Sequence, residues 1–124
     1  MGLDMYAYSV PHTQHNEQFD FPRDIGKKEF CYWRKFNALH GWMEERARER
    51  GFEGEFNVTP FRLDVELLDR LEKDIEANAL KPVNGFFFGA QEVHPDDVRE
   101  TLQFIENARR LISEGMDVYY DSWY

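Results

Sequence analysis

The amino-acid sequence predicts an α+β domain: three helices packed on a sheet of about four strands, with the strands from the two ends of the chain paired. Three observations predict it. Apolar and polar residues alternate at both ends, the period-two pattern of half-buried strands. Three interior segments repeat their apolar residues every three or four positions, the pattern of amphipathic helices. A chain of 124 residues also fits one domain, residues 1–124, large enough for a core that needs no staples.

The first strand spans residues 1–8, with Leu3, Met5 and Ala7 on one side and Asp4, Tyr6 and Tyr8 on the other. Residues 9–27 are polar and irregular, with Pro11, Pro22 and Gly26. A connection this long in a compact domain is functional or mobile. Residues 28–50 read as the first helix. At about 100° per residue, Tyr32, Phe36, Leu39, Met43 and Ala47 share a buried arc. Trp33, Asn37, His40 and Glu44 form a stripe along one margin, with Lys35, Trp42 and Arg46 along the other. Gly41 falls on the outward side, where it predicts a bend or else the close approach of another element, and Gly51 is the stop signal.

Residues 55–62 read as a second strand, which Pro60 confines to an edge or a strand end. Asp64 is an N-cap for a helix running to about Asn78 on Leu67, Leu68, Leu71 and Ile75. Phe86, Phe87 and Phe88 form a short buried strand. His94, Pro95, Asp96 and Asp97 start the third helix, with carboxylates in the first turn facing the helix dipole. Its inner face is Val98, Leu102, Ile105, Ala108 and Ile112, and Gly115 ends it. The closing segment alternates again, Met116, Val118 and Tyr120 against Asp117, Tyr119, Asp121 and Trp123.

The net charge of −9 is unevenly placed. Residues 1–52 carry 8 acidic and 8 basic side chains; residues 53–124 carry 16 and 7. The acidity argues against direct binding of a phosphate backbone, which needs a basic surface. It fits a well-solvated surface that favours solubility, a basic partner, or a surface that sets carboxylates where phosphates would sit. Glu66, Asp69, Glu72, Asp74 and Glu76 make the second helix the main acidic surface. The single cysteine, Cys31, excludes an internal disulfide framework, and a reducing compartment is its natural setting. No apolar run approaches the ~20 residues that cross a bilayer, and the opening residues lack a signal-peptide pattern. The expectation is a cytoplasmic protein without a membrane partner.

No glycine-rich phosphate loop, nucleophile elbow or His-Glu-x-x-His stands in the chain. No cofactor or metal is therefore expected. The best candidate site is the stripe of Trp33, Asn37, His40 and Glu44, with Arg34 and Lys35 as anion-binding neighbours. His40 would be a general base and Glu44 its orienting carboxylate. Asn37 offers a donor and an acceptor, and Trp33 a stacking surface. Three weaker candidates accompany it. Cys31 lies near Lys27 and Lys28, which would favour a thiolate. His12 and His15, with Glu17 and Asp20, suggest a metal set whose convergence nothing in the sequence fixes. Asp4, with Asp117 or Asp121, would pair carboxylates across the terminal strands.

Three blocks of the chain carry a resemblance. They are Met1-Gly2-Leu3-Asp4-Met5-Tyr6 at the start, Tyr32-Trp33-Arg34-Lys35 with Asn37, Ala38, His40 and Trp42 in the middle, and Tyr119-Tyr120-Asp121-Ser122-Trp123 at the close. In them the sequence resembles a family of small uncharacterised phage and prophage proteins. The resemblance implies a phage accessory product acting in the host bacterial cytoplasm, and no catalytic residue to carry over. The expected function is a non-enzymatic binder or inhibitor of a host or defence component, working through the acidic surface. The rival is a small-molecule protein or enzyme, for an anionic or nucleotide-like ligand, built on the Trp33 stripe. A homo-oligomeric structural module is the third class.

Overall fold

The computed structural model describes residues 2–80 and 93–124. Its elements run β1 (Asp4–Pro11), β2 (Lys28–Arg34), α1 (Asn37–Glu49), β3 (Phe61–Leu63), α2 (Val65–Glu76), α3 (Pro95–Ser113) and β4 (Met116–Trp123). The four strands form one antiparallel sheet in the order β2-β1-β4-β3. The α+β architecture and the pairing of the terminal strands are as the alternation predicts. β1 and β4 are the two central strands, in register from Asp4 opposite Trp123 to Pro11 opposite Met116. Phe86, Phe87 and Phe88 lie outside the described residues.

The fourth strand comes from a segment read as helix. Residues 28–50 are not one helix. Lys28–Arg34 is β2, and only Asn37–Glu49 is helical. The sequence Phe30-Cys31-Tyr32-Trp33 is rich in side chains that suit a pleated, half-buried surface. Cys31 and Trp33 then face the core while Tyr32 and Arg34 face away, opposite Tyr6 and Asp4 of β1. Lys35, at φ +57, turns the chain, and its N–H closes onto the Leu3 carbonyl at 2.8 Å. Both periods fit this stretch, because Tyr32 and Phe36 stand four apart. The aromatic pairing with β1 decides between them.

Two smaller expectations also change. Of residues 55–62 only the end is strand, and Phe61–Leu63 sits at the sheet edge beside β4, just after Pro60. Phe56 still enters the core, but Val58 adopts φ +52 and is exposed. The inner line of α3 is Thr101, Phe104, Ile105 and Ala108, with Val98, Leu102 and Ile112 moved to its margins. Phe104 pulls the helix round: its ring meets Trp33 edge-on at 4.9 Å and stacks on Phe30 at 5.7 Å. Gly41 is buried rather than outward, and Tyr32 is exposed rather than an anchor.

α2 follows its pattern. Asp64 caps it by accepting the Leu67 N–H at 2.9 Å, and Leu67, Leu68, Leu71 and Ile75 are buried. One apolar core joins the inner faces of the strands to all three helices. Among the described residues no helix is long and apolar enough to cross a membrane.

Candidate functional site

The stripe does not assemble as one site. Trp33 stands on β2 and is buried, its indole N–H donating to Thr101 Oγ1 at 3.0 Å. Thr101 in turn donates to the Asp97 carbonyl at 2.7 Å. Asn37 opens α1 and is buried. His40, one turn on, is only 7% exposed. Its Nδ1 is hydrogen-bonded to Tyr120 Oη at 2.6 Å, and its ring lies among Phe56, Tyr120 and Tyr124. Burial brings the imidazole down to about 4, against the pull of the nearby Glu44 carboxylate. Burial also pushes the Tyr120 phenol well above its ordinary value. Both groups therefore stay neutral at pH 7. Glu44 sits at the surface, paired with Arg48 at 2.7 Å. Arg34 belongs to the opposite face of the sheet, and Lys35 to the turn after it. The packing separates His40 from Arg34 and Lys35, the expected base from its expected anion-binding neighbours.

The acidic helix is partly neutralised from within. Arg109 of α3 reaches Asp69 at 2.6 Å and Glu72 at 3.0 Å. Its hydrogen bonds hold the Glu72 carboxyl below the usual range. Asp74 accepts the Trp42 indole N–H at 2.8 Å. Glu66 and Glu76 are exposed and make no ion pair among the described residues.

The weaker candidates resolve differently. Burial pushes the Cys31 thiol up to about 12, with Glu100 and Glu29 adding to it, so a thiolate is disfavoured there. Lys27 does not serve it, because its ammonium lies 4.5 Å above the Tyr8 ring. Among the described residues no three His, Cys, Asp or Glu side chains converge on a metal position. His12 instead meets Asp117 at 2.9 Å, and the same carboxylate accepts from Asn16 at 2.7 Å and Arg62 at 3.2 Å. Tyr119 reaches the Asp20 carbonyl, and Gln18 Nε2 donates to the Arg62 carbonyl at 2.6 Å. These bonds fasten the segment after β1 onto β3 and β4. Asp4 and Asp121 share a sheet face but turn to other partners: Asp4 accepts the Tyr32 hydroxyl and Asp121 the Ser122 N–H.

That sheet face holds the groups the stripe reading missed. Tyr32, Tyr6 and Asp121 form one cross-strand row; Arg34, Asp4 and Trp123 form the next. Tyr6 lies 6.0 Å from Tyr8, nearly parallel, and 5.4 Å from Tyr32. Tyr32 is 44% exposed and Trp123 66%. Aromatic residues on the polar side of both terminal strands were the available signal. No protein-family model, curated protein or solved structure matches the chain. Its chemistry therefore rests on these positions alone: a sealed imidazole, a fastened segment, an acidic helix partly paired with Arg109, and an aromatic face.

Proposed function

We propose that the chain is a non-enzymatic binding protein that engages a basic partner, as a phage accessory product acting on a host or defence component in the bacterial cytoplasm. The enclosure of His40 carries this reading. The imidazole best placed by sequence for acid–base chemistry is packed among three rings and bonded to Tyr120. A general base must come within hydrogen-bond reach of a substrate proton, and this one is committed to the core. The net charge of −9 supports a positively charged partner and disfavours a phosphate backbone.

The test is capture of nuclease-treated bacterial lysate on the immobilised chain. Recovery of a basic, nucleic-acid-handling protein is expected, with capture falling as salt rises. Glu66→Gln with Glu76→Gln leaves the Arg109 pairs intact and measures what α2 contributes. A wild-type chain that retains no basic protein at low salt, or one that turns over a small anionic substrate, refutes the reading.

A further inference from the structure

The helix-free face of the sheet has the chemistry of a cation receptor. Three tyrosine rings run across it from Tyr8 through Tyr6 to Tyr32, and Trp123 stands exposed beside Asp4. Carboxylates lie among them: Asp4 and Asp121 on the central strands and Glu29 opposite Tyr8. Burial first, then the negative charges of these carboxylates, raise the Tyr6 phenol above its ordinary value. A ring face in such a field attracts ammonium and guanidinium groups.

One ring already holds a cation. The Lys27 ammonium lies 4.5 Å from the centroid of Tyr8 and close enough to Asp121 to favour its ionised form, although burial raises that carboxyl overall. Among the described residues no lysine or arginine stands over Tyr6, Tyr32 or Trp123 in the same way. Arg34 is the other cation of the face, opposite Asp4. At the far end Phe21 packs edge-on against Tyr119 at 4.7 Å, which leaves the Tyr6–Tyr32–Trp123 end open.

We propose that this open end binds the arginine and lysine side chains of a basic peptide segment in the partner protein, with Lys27 filling one ring position from within. The proposal rests on the reading of a basic partner and names the surface that meets it. Guanidinium groups stack on the rings and their N–H groups reach Asp4 and Asp121. Single-stranded nucleic acid also stacks on aromatic sheet faces, but its phosphates would meet three carboxylates here.

The experiment titrates an oligoarginine peptide and, separately, an oligo-dT strand into the chain. Wild type is expected to bind the peptide and not the strand. Trp123→Ala with Tyr32→Leu weakens peptide binding about tenfold, the sum of two contacts of the usual cation–π size. Circular dichroism checks that this variant folds, and Asp4→Asn supplies a second reading of the face without removing a ring. Lys27→Ala vacates the Tyr8 position and tightens binding about two- to fivefold. Lys28→Ala, an equal change of charge away from the rings, tightens it less. Peptide binding that survives all face variants but falls with Glu66→Gln and Glu76→Gln overturns this surface and leaves the binding reading standing. A wild-type chain that ignores the peptide overturns both. Preference for oligo-dT overturns the basic occupant.

Discussion

His40 Nδ1 and Tyr120 Oη are hydrogen-bonded at 2.6 Å where α1 crosses the central strand β4. The bond ties a central strand of the sheet to the first helix, between groups that both remain uncharged. It turns the most reactive-looking residue of the chain into a structural one and makes stability depend on pH.

Acid should destabilise this fold through His40. Its folded pKa is about 4 against an ordinary 6.5, so the unfolded chain takes up the proton first. The contribution is fully present above pH 6.5 and is lost as pH falls toward 4. At 1.36 kcal/mol per unit it amounts to roughly 3 kcal/mol. Denaturant melts at a series of pH values check it. His40→Gln should be less stable at pH 7 and flatter between pH 6.5 and 4.

Thr101→Val should cost about 1–3 kcal/mol, because it leaves the Trp33 indole N–H unpaired in the core. Thr101→Ser keeps the acceptor and should recover part of that loss. Thermal melts separate the two variants.

Removing the Asp117 carboxylate should loosen the segment after β1. Asp117→Ala removes one shared acceptor from His12, Asn16 and Arg62, and Asn16 keeps its bonds to the Pro11 carbonyl and Thr13. A loss of roughly 2 kcal/mol is expected. Limited trypsin digestion should then cut first at Arg23 and Lys27, which the wild type resists longer. An unchanged digestion pattern would show that the other bonds hold the segment unaided.

Val58→Asn should stabilise the chain. A β-branched side chain at φ +52 is strained, and this one is 58% exposed, so little packing is lost. Asparagine tolerates this conformation and keeps the N–H that donates to the Ser122 carbonyl at 2.8 Å. A gain of about 1 kcal/mol is expected, read as a rise in melting temperature.

Much of this architecture is legible in the residues. Alternation at both ends reveals the central strand pair because β1 and β4 each bury one face under helices. Asp64 and Pro95 mark real helix starts because their chemistry is local. The failure at residues 28–34 is equally physical. Tyr32, Phe36, Leu39 and Met43 satisfy the helical period, yet Tyr32 is half exposed on a strand. Only contact with β1, which is distant in sequence, decides. The same error placed Trp33 and His40 on one stripe, although one faces α3 from β2 and the other meets Tyr120 from α1. Arg109 opposite Asp69 and Glu72 could not be read either, since it depends on how α2 and α3 pack.

The central seam of β1 against β4 also governs how the chain reaches its folded state. His12 and Asp117, at one end of that seam, are 105 positions apart. β2 pairs only with β1 and β3 only with β4, so the seam joins two strand pairs into one sheet. The entropy of closing so large a loop falls due when those two pairs meet. Such a sheet is completed late, and nascent fragments lacking Met116–Trp123 hold the β1–β2 pair alone, with no strand beside β3.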